Sequence, residues 1–318
     1  MSAVADGNRA VRLIVFPGGF NWPVWVAEDC GFFARGRVRV EVATTPGSVF
    51  QWTALAEGRA DVAITLMDNV VAYREGQGAP GVLVPDAIAL MAVDTRAMPT
   101  LITTPGIETY AELRGKALAV DALVTGNALV LRGMLEHGGL SAADYRLEQA
   151  GGVTQRFDAM TRQQYAGSLF NSPLDAQLKA MGFHALDSAS SLLSRFQGHV
   201  VAARRGWAGA HRAVVVDFLR AIVDALEWLY VPANREKAFA IYSERMQSAA
   251  KDAATAYSVL FDAANGFPAN GKIDVEGIAN VLELRAKYGE PRKTLSHASA
   301  YYDATYLAEA AAHGRNRT

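Results

Sequence analysis

Short β-branched stretches alternate with amphipathic ones along the first third of the chain. Residues 11–16 and 38–43 are apolar, and each is followed by a loop rich in glycine and proline and then by a helical pattern. A third β-branched stretch follows at 61–65. This order is typical of a parallel sheet with crossover helices. Ligands of such sheets bind beyond the carboxyl ends of the strands, so the loops at 17–23 and 44–48 are predicted to form one wall of a small-molecule cleft.

The helices after these loops have predicted starts. A proline in the first turn begins a helix expected over 22–33. Ser48 followed three residues later by Gln51 predicts a capping box, in which each side chain binds a free backbone N–H. Asp68 or Asn69 is expected to cap the helix that follows the third strand.

The middle of the chain repeats this pattern imperfectly. An apolar stretch at 82–93 contains a proline, which favours an edge strand or a broken strand. Further helices are predicted at 109–113, 128–137, 153–162 and 173–181, and further strands at 116–120, 145–150 and 165–170. After a last strand at 200–203, helices are predicted at 210–230, 234–246, 249–264 and 274–288. Two α/β units joined near 93–99 and 195–203 predict an α/β fold of two lobes hinged around a cleft, with a helical C-terminal part.

Composition adds exclusions to this picture. The chain has 318 residues, of which 51% are apolar and 20% charged, which is globular composition with room for two lobes. A net charge of −1 gives no reason to expect nucleic acid or anionic lipid as a partner. No uncharged apolar run is long enough to insert into a membrane. The single cysteine, Cys30, excludes an internal disulfide and is expected to be a buried structural thiol.

The first ten residues contain neither a basic segment nor an apolar segment of the kind that begins a secretory signal. As the sequence stands, the protein is expected in the cytoplasm. A trimmed or misassigned start would instead allow a periplasmic protein.

Several motifs, taken together in order and spacing, resemble the type II periplasmic-binding-protein fold. They are Gly-Phe-Phe at 31–33, Ala-Leu-Ala-Glu-Gly-Arg-Ala-Asp-Val-Ala at 54–63, Glu-Leu-Arg-Gly-Lys at 112–116, Phe-Leu-Arg-Ala-Ile at 218–222, and Tyr-Asp and Tyr-Leu at 302–303 and 306–307. The nearest branch is the NMT1/THI5-like group, which includes sulfonate, taurine and nitrate binding proteins of ABC importers. The resemblance implies one lobe of residues 11–94 with 197–318, and a second of 95–196, closing on a ligand.

The resemblance also implies five ligand-facing loops, at 18–22, 47–50, 66–69, 124–128 and 168–172. These loops contain few ionisable groups, and two of them lead into helix N-termini that attract anions such as carboxylate or sulfonate. The expected ligand contacts are Gly19, Phe20, Asn21, Trp22, Ser48, Val49, Phe50, Asp68, Asn69, Thr125, Gly126, Asn127, Phe170 and Asn171, with Gln51, Ser168 and Ser172 as further hydrogen-bonding groups. The alternative that Phe50 and Phe170 are core residues, and the polar residues only caps, stays open.

Charged residues near the loops offer further chemistry. Asp68 and Asp121 are candidates to hold an ammonium group or to act as a general base, against the alternative of a helix cap and a turn residue. Arg156, Arg162 and Arg195 are candidates for clamping an acid through two hydrogen bonds.

The usual catalytic sets are missing from the sequence. The six histidines lie outside the five loops, and no nucleophile or phosphate-binding motif occurs. The resemblance adds that related desulfinases have a cysteine in the loop after the first strand, and that thiamin-pyrimidine synthases have a cysteine cluster, and this chain has neither. Binding is therefore favoured over catalysis.

The sequence thus predicts a monomeric solute-binding protein for a small organic ligand, anionic or an aromatic or heterocyclic acid, serving an ABC importer permease. No metal or cofactor is expected. The alternative is a cytoplasmic enzyme on the same fold, of the decarboxylase, hydrolase or pyrimidine-precursor biosynthesis type, using Asp68, Asp121 or Tyr165, or a ligand sensor.

Overall fold

Ten strands form two five-stranded sheets in a computed structural model that describes residues 10–94, 98–171, 174–262 and 266–315. In chain order the strands are β1 (Ala10–Val15), β2 (Arg39–Thr44), β3 (Val62–Leu66), β4 (Ala87–Ala92), β5 (Thr100–Thr103), β6 (Ala117–Val120), β7 (Arg146–Gln149), β8 (Gly167–Phe170), β9 (His184–Ser188) and β10 (His199–Arg204).

The described residues also form thirteen α-helices. These are α1 (Trp22–Asp29), α2 (Phe32–Arg35), α3 (Ser48–Ala56), α4 (Met67–Glu75), α5 (Gly126–His137), α6 (Val153–Thr161), α7 (Leu174–Ala180), α8 (Arg205–Ala210), α9 (Arg212–Tyr230), α10 (Arg235–Met246), α11 (Ala250–Leu260), α12 (Val275–Tyr288) and α13 (Thr305–Arg315). Among them is no helix with the length and apolar character needed to cross a membrane.

The two sheets have matching topologies. The first has the order β2-β1-β3-β10-β4 and the second the order β7-β6-β8-β5-β9. In each sheet the first three strands are parallel and the fourth is antiparallel to both of its neighbours. Strand β5 of the second sheet follows β4 of the first sheet in the chain, and β10 of the first sheet follows β9 of the second. The chain therefore crosses between the lobes twice, before β5 and before β10.

Alternate residues of the central strands face two different cores, because successive side chains of a strand point to opposite faces. Val11, Leu13 and Val15 join the cluster beneath α1 and α9, whereas Ile14 joins the cluster on the opposite face. The second of these clusters continues into the second lobe.

Helix α12 contributes to that shared core and contacts both lobes. It packs against α4 of the first lobe and α5 of the second. At its C-terminal end, Lys287 forms an ion pair with Glu136 of α5 at 2.8 Å. A segment that follows both lobes in the chain therefore bridges them. The lobe boundaries predicted at residues 94–95 and 196–197 stay a prediction.

The two-lobed α/β fold predicted from the sequence is confirmed, with local corrections. The helix expected over 22–33 is interrupted where Gly31 takes a left-handed conformation (φ 73°) between α1 and α2. Cys30 at this break is a free thiol and half-buried rather than fully buried. Strands β5 and β9 and helices α8 and α13 were not predicted. The helix expected over 249–264 ends at Leu260, and the last two positions of that prediction lie outside the described residues.

The predicted helix caps are wrong. Helix α3 begins at Ser48 itself, after Gly47, and no side chain caps it. Gln51 is fully buried, and its Nε2 donates to the carbonyls of Ile14 and Ile64 at 3.2 and 3.0 Å instead of to the backbone of its own helix. Helix α4 begins before the expected caps, because Asp68 and Asn69 lie inside its first turn.

Candidate functional site

The carboxyl ends of the two sheets' parallel strands face each other across the lobe boundary. A Cβ atom placed on Gly126, at the start of α5, would lie 2.5 Å from Cγ of Asp68, at the start of α4. A Cβ on Gly152, before α6, would lie 4.0 Å from the carbonyl oxygen of Pro46, before α3. The loops predicted to form the two sides of a cleft therefore meet.

Two buried amide side chains of the first lobe lie near the carboxyl ends of β1 and β3. Gln51 joins the ends of β1 and β3 through its Nε2, and its Oε1 has no hydrogen-bond partner. Asn21 donates from Nδ2 to the carbonyls of Phe16 and Gly18 at 2.7 and 3.1 Å, and its Oδ1 has no partner either. Both side chains are almost fully buried, so the two free oxygens are acceptors shielded from bulk water.

The second lobe contributes a buried cation, Arg156 of α6. Its side chain is 4% exposed, and Nη1 donates to Oγ of Ser168 and to the carbonyl of Leu169 at 3.0 and 2.8 Å. Its Nε has no hydrogen-bond partner, and no carboxylate of the described residues forms an ion pair with it. Burial lowers the pKa of Arg156, and the negative charge of Asp121 opposes this effect. A guanidinium stays charged in proteins, so this is a buried positive charge with little compensation.

Asp121 and Thr125 shape the neighbouring loop before α5. The Thr125 hydroxyl donates to Oδ1 of Asp121 at 2.6 Å. Thr125 is buried, and Asp121 is half-buried. This contact fits the turn role that the sequence left open for Asp121.

Asp68 is not a free carboxylate. Its oxygens accept from Nε and Nη2 of Arg285, on α12, at 2.7 and 2.6 Å, and both side chains are buried. The same Nη2 donates to the carbonyl of Val124 in the second lobe at 2.6 Å. A carboxylate held in this way is a structural anchor between lobes, which weighs against the roles of ammonium ligand or general base.

A histidine also reaches the carboxyl end of the first sheet. His199 begins β10 opposite Leu66, the last residue of β3. Its Nδ1 lies 2.5 Å from Oδ2 of Asp94, and its ring is stacked on Phe20 with centroids 3.9 Å apart. Both residues of this contact lie where the chain crosses between lobes.

The aromatic residues predicted to line the cleft have different positions. Trp22 is fully buried, its Nε1 donates to the carbonyl of Ala238, and its ring packs on Tyr242, so it offers no surface to a ligand. Phe170 is buried as well, in keeping with the alternative of a core residue. Phe50 is 46% exposed at the cleft edge.

The other predicted contacts fall into three groups. Gly19 packs against Tyr242, and the buried Asn69 donates to Thr65, so both serve the fold of the first lobe. Gly126 touches Asp68 across the cleft, as described above. Partly or fully exposed positions at the cleft edge are Ser48, Val49, Asn127 and Asn171; Ser172 lies outside the described residues.

Three further residues that the sequence suggested for catalysis or for binding an acid lie elsewhere or already have ion-pair partners. Tyr165 precedes β8, so it lies at the amino end of that strand and packs in a small cluster with Phe170 and its neighbours. This position weighs against a catalytic role for Tyr165 between the lobes. Arg162 is exposed, and Arg195 forms ion pairs with Asp274 and Glu276.

Arg285 and His199 were missed from the sequence. Arg285 lies on the helix predicted at 274–288, in the C-terminal part, far in sequence from every predicted loop. The only available signal for His199 was its place at the start of the predicted strand at 200–203, within a predicted hinge. Among the described residues, no group of three or more His, Cys, Asp or Glu side chains is arranged to hold a metal ion.

Two surface cavities lie away from the cleft. A groove of about 610 Å³ follows the outer face of α12 and the loop at 292–296, and one of about 270 Å³ lies at the amino ends of β1 and β2. Neither contains a buried, unpartnered polar atom. The facing strand ends of the two sheets are therefore the stronger candidate, because the unpartnered amide oxygens and Arg156 lie near them.

Known structures share this fold at low sequence identity. A protein of Bordetella bronchiseptica RB50 is 19% identical with a TM-score of 0.78, and the match covers 97% of this chain and 99% of that one. The periplasmic nitrate-binding protein NrtA of Synechocystis PCC 6803 is 15% identical (TM-score 0.77, coverage 96% and 89%). The periplasmic aliphatic sulphonate binding protein SsuA of Escherichia coli is 16% identical (TM-score 0.71, coverage 94% and 93%).

No curated protein sequence matches the chain. The structural likenesses describe the fold alone, and the sequence match to a family is more specific. Residues 5–243, about three quarters of the chain, match the NMT1-like family, and the chain belongs to that family.

Proposed function

We propose that the cleft binds a small organic acid and that Arg156 holds its anionic group. The observation that carries this proposal is a buried guanidinium whose Nε has no partner and which forms no ion pair with a described carboxylate. An isolated buried charge is costly, and a protein retains one where a partner arrives. A carboxylate or sulfonate accepts charge-assisted hydrogen bonds from such a group.

The surroundings support an anion at this position. Ser168 and the carbonyl of Leu169 fix Nη1 of Arg156 and leave the planar group oriented before the ligand arrives. Helix α5 begins nearby in the same lobe, and helix N-termini favour negative charge. The nitrate and sulphonate binding proteins that share the fold bind anions, according to their names.

The test is a panel of small carboxylates and sulfonates, with neutral amides of the same shape, measured by thermal shift and then by calorimetry. Acids should raise the melting temperature in a concentration-dependent manner, and the amides should not. Arg156→Met should lower acid affinity about 10- to 100-fold, since hydrogen bonds to charged groups contribute about 1.5–3 kcal/mol.

Arg162→Met is the matched control, because Arg162 lies just beyond the same helix but is exposed. It should leave acid affinity unchanged. Equal affinity of wild type and Arg156→Met for every acid bound would refute the role of Arg156, and a panel in which no acid binds would refute the proposed function.

Delivery of the ligand to an ABC importer permease by a monomeric protein is the second part of the proposal. Exposed apolar side chains lie at the cleft edge of both lobes, namely Val49 and Phe50 on one and Leu123 on the other. A permease that recognises the closed form of the protein would contact the edges of both lobes at once. Co-purification with a permease encoded nearby, reduced by Phe50→Ser with Leu123→Ser, tests this part.

Catalysis is the alternative, and one observation favours it. The ring of His199 is oriented by Asp94 at 2.5 Å, the arrangement of a general base with its orienting carboxylate. Incubating each bound acid with the protein and following it by NMR distinguishes the two functions. Unchanged ligand after hours supports binding, and a product that disappears in His199→Gln supports catalysis.

A further inference from the structure

We infer that the acid bound in the cleft also carries an uncharged N–H group, which Gln51 and Asn21 of the first lobe recognise. This inference rests on the proposed function and adds the chemistry of the ligand's other end. It comes from two buried amide side chains whose oxygens are free while their nitrogens are fully used.

The orientation of the Gln51 amide is determined by its neighbours. Its Nε2 lies 3.2 and 3.0 Å from the carbonyl oxygens of Ile14 and Ile64, and a flipped amide would put oxygen against two oxygens. Because nitrogen and oxygen diverge from the same carbon, Oε1 points away from those two carbonyls. Asn21 is oriented in the same way, since Nδ2 donates to the carbonyls of Phe16 and Gly18.

The two amides lie on the same side of β1 and its extension. The carbonyl of Arg12 accepts from Asp61, at the start of β3, whereas the carbonyl of Val15 accepts from Thr45, at the end of β2. Successive carbonyls of a strand point in opposite directions, so those of Ile14 and Phe16 both point toward the β3 side. Gln51 and Asn21 therefore bind carbonyls that are two residues apart, at the carboxyl end of β1.

A ligand bound between the strand ends of the two sheets would meet acceptors on the first lobe and a cation on the second. Leaving a buried acceptor unpaired costs about 1–3 kcal/mol, so a ligand that donates to these oxygens is preferred over one that cannot. A site that hydrogen-bonds a donor group of its ligand discriminates strongly against an analogue that lacks this group. The discrimination is larger than that of an apolar pocket against a ligand that lacks one methylene group.

The donor is expected to be uncharged. Two carboxylates of the first lobe lie at this end of the sheet, and both have partners: Asp68 accepts from Arg285 with both oxygens, and Asp94 contacts His199 with both of its oxygens. An ammonium group would thus be buried against amide oxygens without a counter-ion, which is unfavourable. An aromatic amine, an amide or a ring N–H fits, and each is compatible with an acid at the opposite end.

The test uses pairs of acids that differ in one donor. Two pairs differ in an uncharged N–H group: 4-aminobenzoate with benzoate, and pyroglutamate with 3-oxocyclopentanecarboxylate, which keeps the ring carbonyl. The third pair, 4-(aminomethyl)benzoate with 4-methylbenzoate, differs in a charged ammonium group. Calorimetry with wild-type protein should give at least tenfold tighter binding for an uncharged N–H member than for its parent, and no such gain in the charged pair.

Variants separate the two ends of the ligand. Arg156→Met should weaken both members of a pair by the same factor, whereas Gln51→Met should weaken the N–H member more than its parent and so remove the preference. The wild-type pairs decide the question even where Gln51→Met does not fold.

The failures are distinguishable. Parents that bind as tightly as their N–H partners would overturn this inference and leave the acid-binding proposal intact. A tenfold gain in the charged pair alone would also overturn it, in favour of an ammonium ligand. No binding by any of the six acids would remove the proposed function and this inference with it.

Discussion

Asp68 and Arg285 form a buried, two-hydrogen-bond ion pair across 217 positions of the chain. Because Arg285 also donates to the carbonyl of Val124, the pair joins α4 and α12 to the loop before α5. Both side chains are buried, so each charge depends on the other for compensation.

Arg285→Met should therefore lower the free energy of unfolding by about 3–5 kcal/mol, since it leaves the Asp68 carboxylate buried without a partner. Urea unfolding followed by circular dichroism measures this. The double variant Asp68→Leu with Arg285→Met should recover most of the loss, because no charge then remains to be compensated.

Arg245→Met provides the control for this ion pair. Arg245 pairs with Glu28 and Asp29 at the surface, where ion pairs contribute about 0–1 kcal/mol. A loss for Arg285→Met no larger than that of the control would contradict the anchoring role.

Gly126 allows the two lobes to approach at Asp68. Gly126→Ala should cost about 1–3 kcal/mol of unfolding free energy, because its Cβ would lie 2.5 Å from Cγ of Asp68. Gly209 of α8 is also helical but has no atom within 4 Å of a built Cβ, so Gly209→Ala should be neutral or stabilise by up to about 1 kcal/mol. Thermal unfolding of both variants checks this, and equal effects would argue against close contact at Gly126.

Trp22 belongs to the core rather than to a ligand surface. Trp22→Ala should lower the free energy of unfolding by about 3–5 kcal/mol, because it removes a fully buried ring that packs on Tyr242. Phe50→Ala should change stability by less than about 0.5 kcal/mol, since Phe50 is half exposed. Denaturant unfolding distinguishes them, and a Trp22→Ala protein of wild-type stability would show that the ring is not packed in this way.

Tyr301 should make stability fall at alkaline pH. Burial, together with its hydrogen bond to Glu75 at 2.9 Å, raises the pKa of Tyr301 to about 12 from an ordinary value of 10. The folded state holds this proton more tightly than the unfolded chain does. The resulting stabilisation is complete below pH 10 and is lost as the pH rises toward 12.

Tyr301→Phe isolates this contribution from the other tyrosines. The variant should be less stable than wild type at pH 8 by about 0.5–1.5 kcal/mol, the usual contribution of one hydrogen bond. Urea unfolding at pH 8, 10 and 11.5 should show the difference between the two proteins shrinking. A constant difference would mean that Tyr301 does not titrate differently in the folded state.

The order of strands and helices was predictable because it depends on local periodicity. Residues 11–16 predicted β1 within one position. The proline before β4 left open an edge strand or a broken strand, and β4 is the edge strand of its sheet. The same local patterns placed both glycine-containing loops at the cleft. Arg156 could be named as a candidate for the same reason, since it lies one turn into a predicted helix.

Long-range partners could not be predicted in the same way. Gln51 has the spacing of a capping box, but the unpaired carbonyls at the ends of β1 and β3 compete for its amide and win. Trp22 follows a loop and looked accessible, yet helices from the last third of the chain cover it. In both cases the deciding contact is made by a segment that local sequence does not identify.

The exchange of strands between the sheets also has a consequence for synthesis of the chain. Strand β4 pairs with β10 and with no other described strand, and β10 begins only at His199. As the protein leaves the ribosome, the second sheet has all five of its strands once residue 188 has emerged, whereas the first still lacks one that lies between β3 and β4. The lobe that is translated first is therefore completed last, and the edges of β3 and β4 stay exposed until β10 has been synthesised.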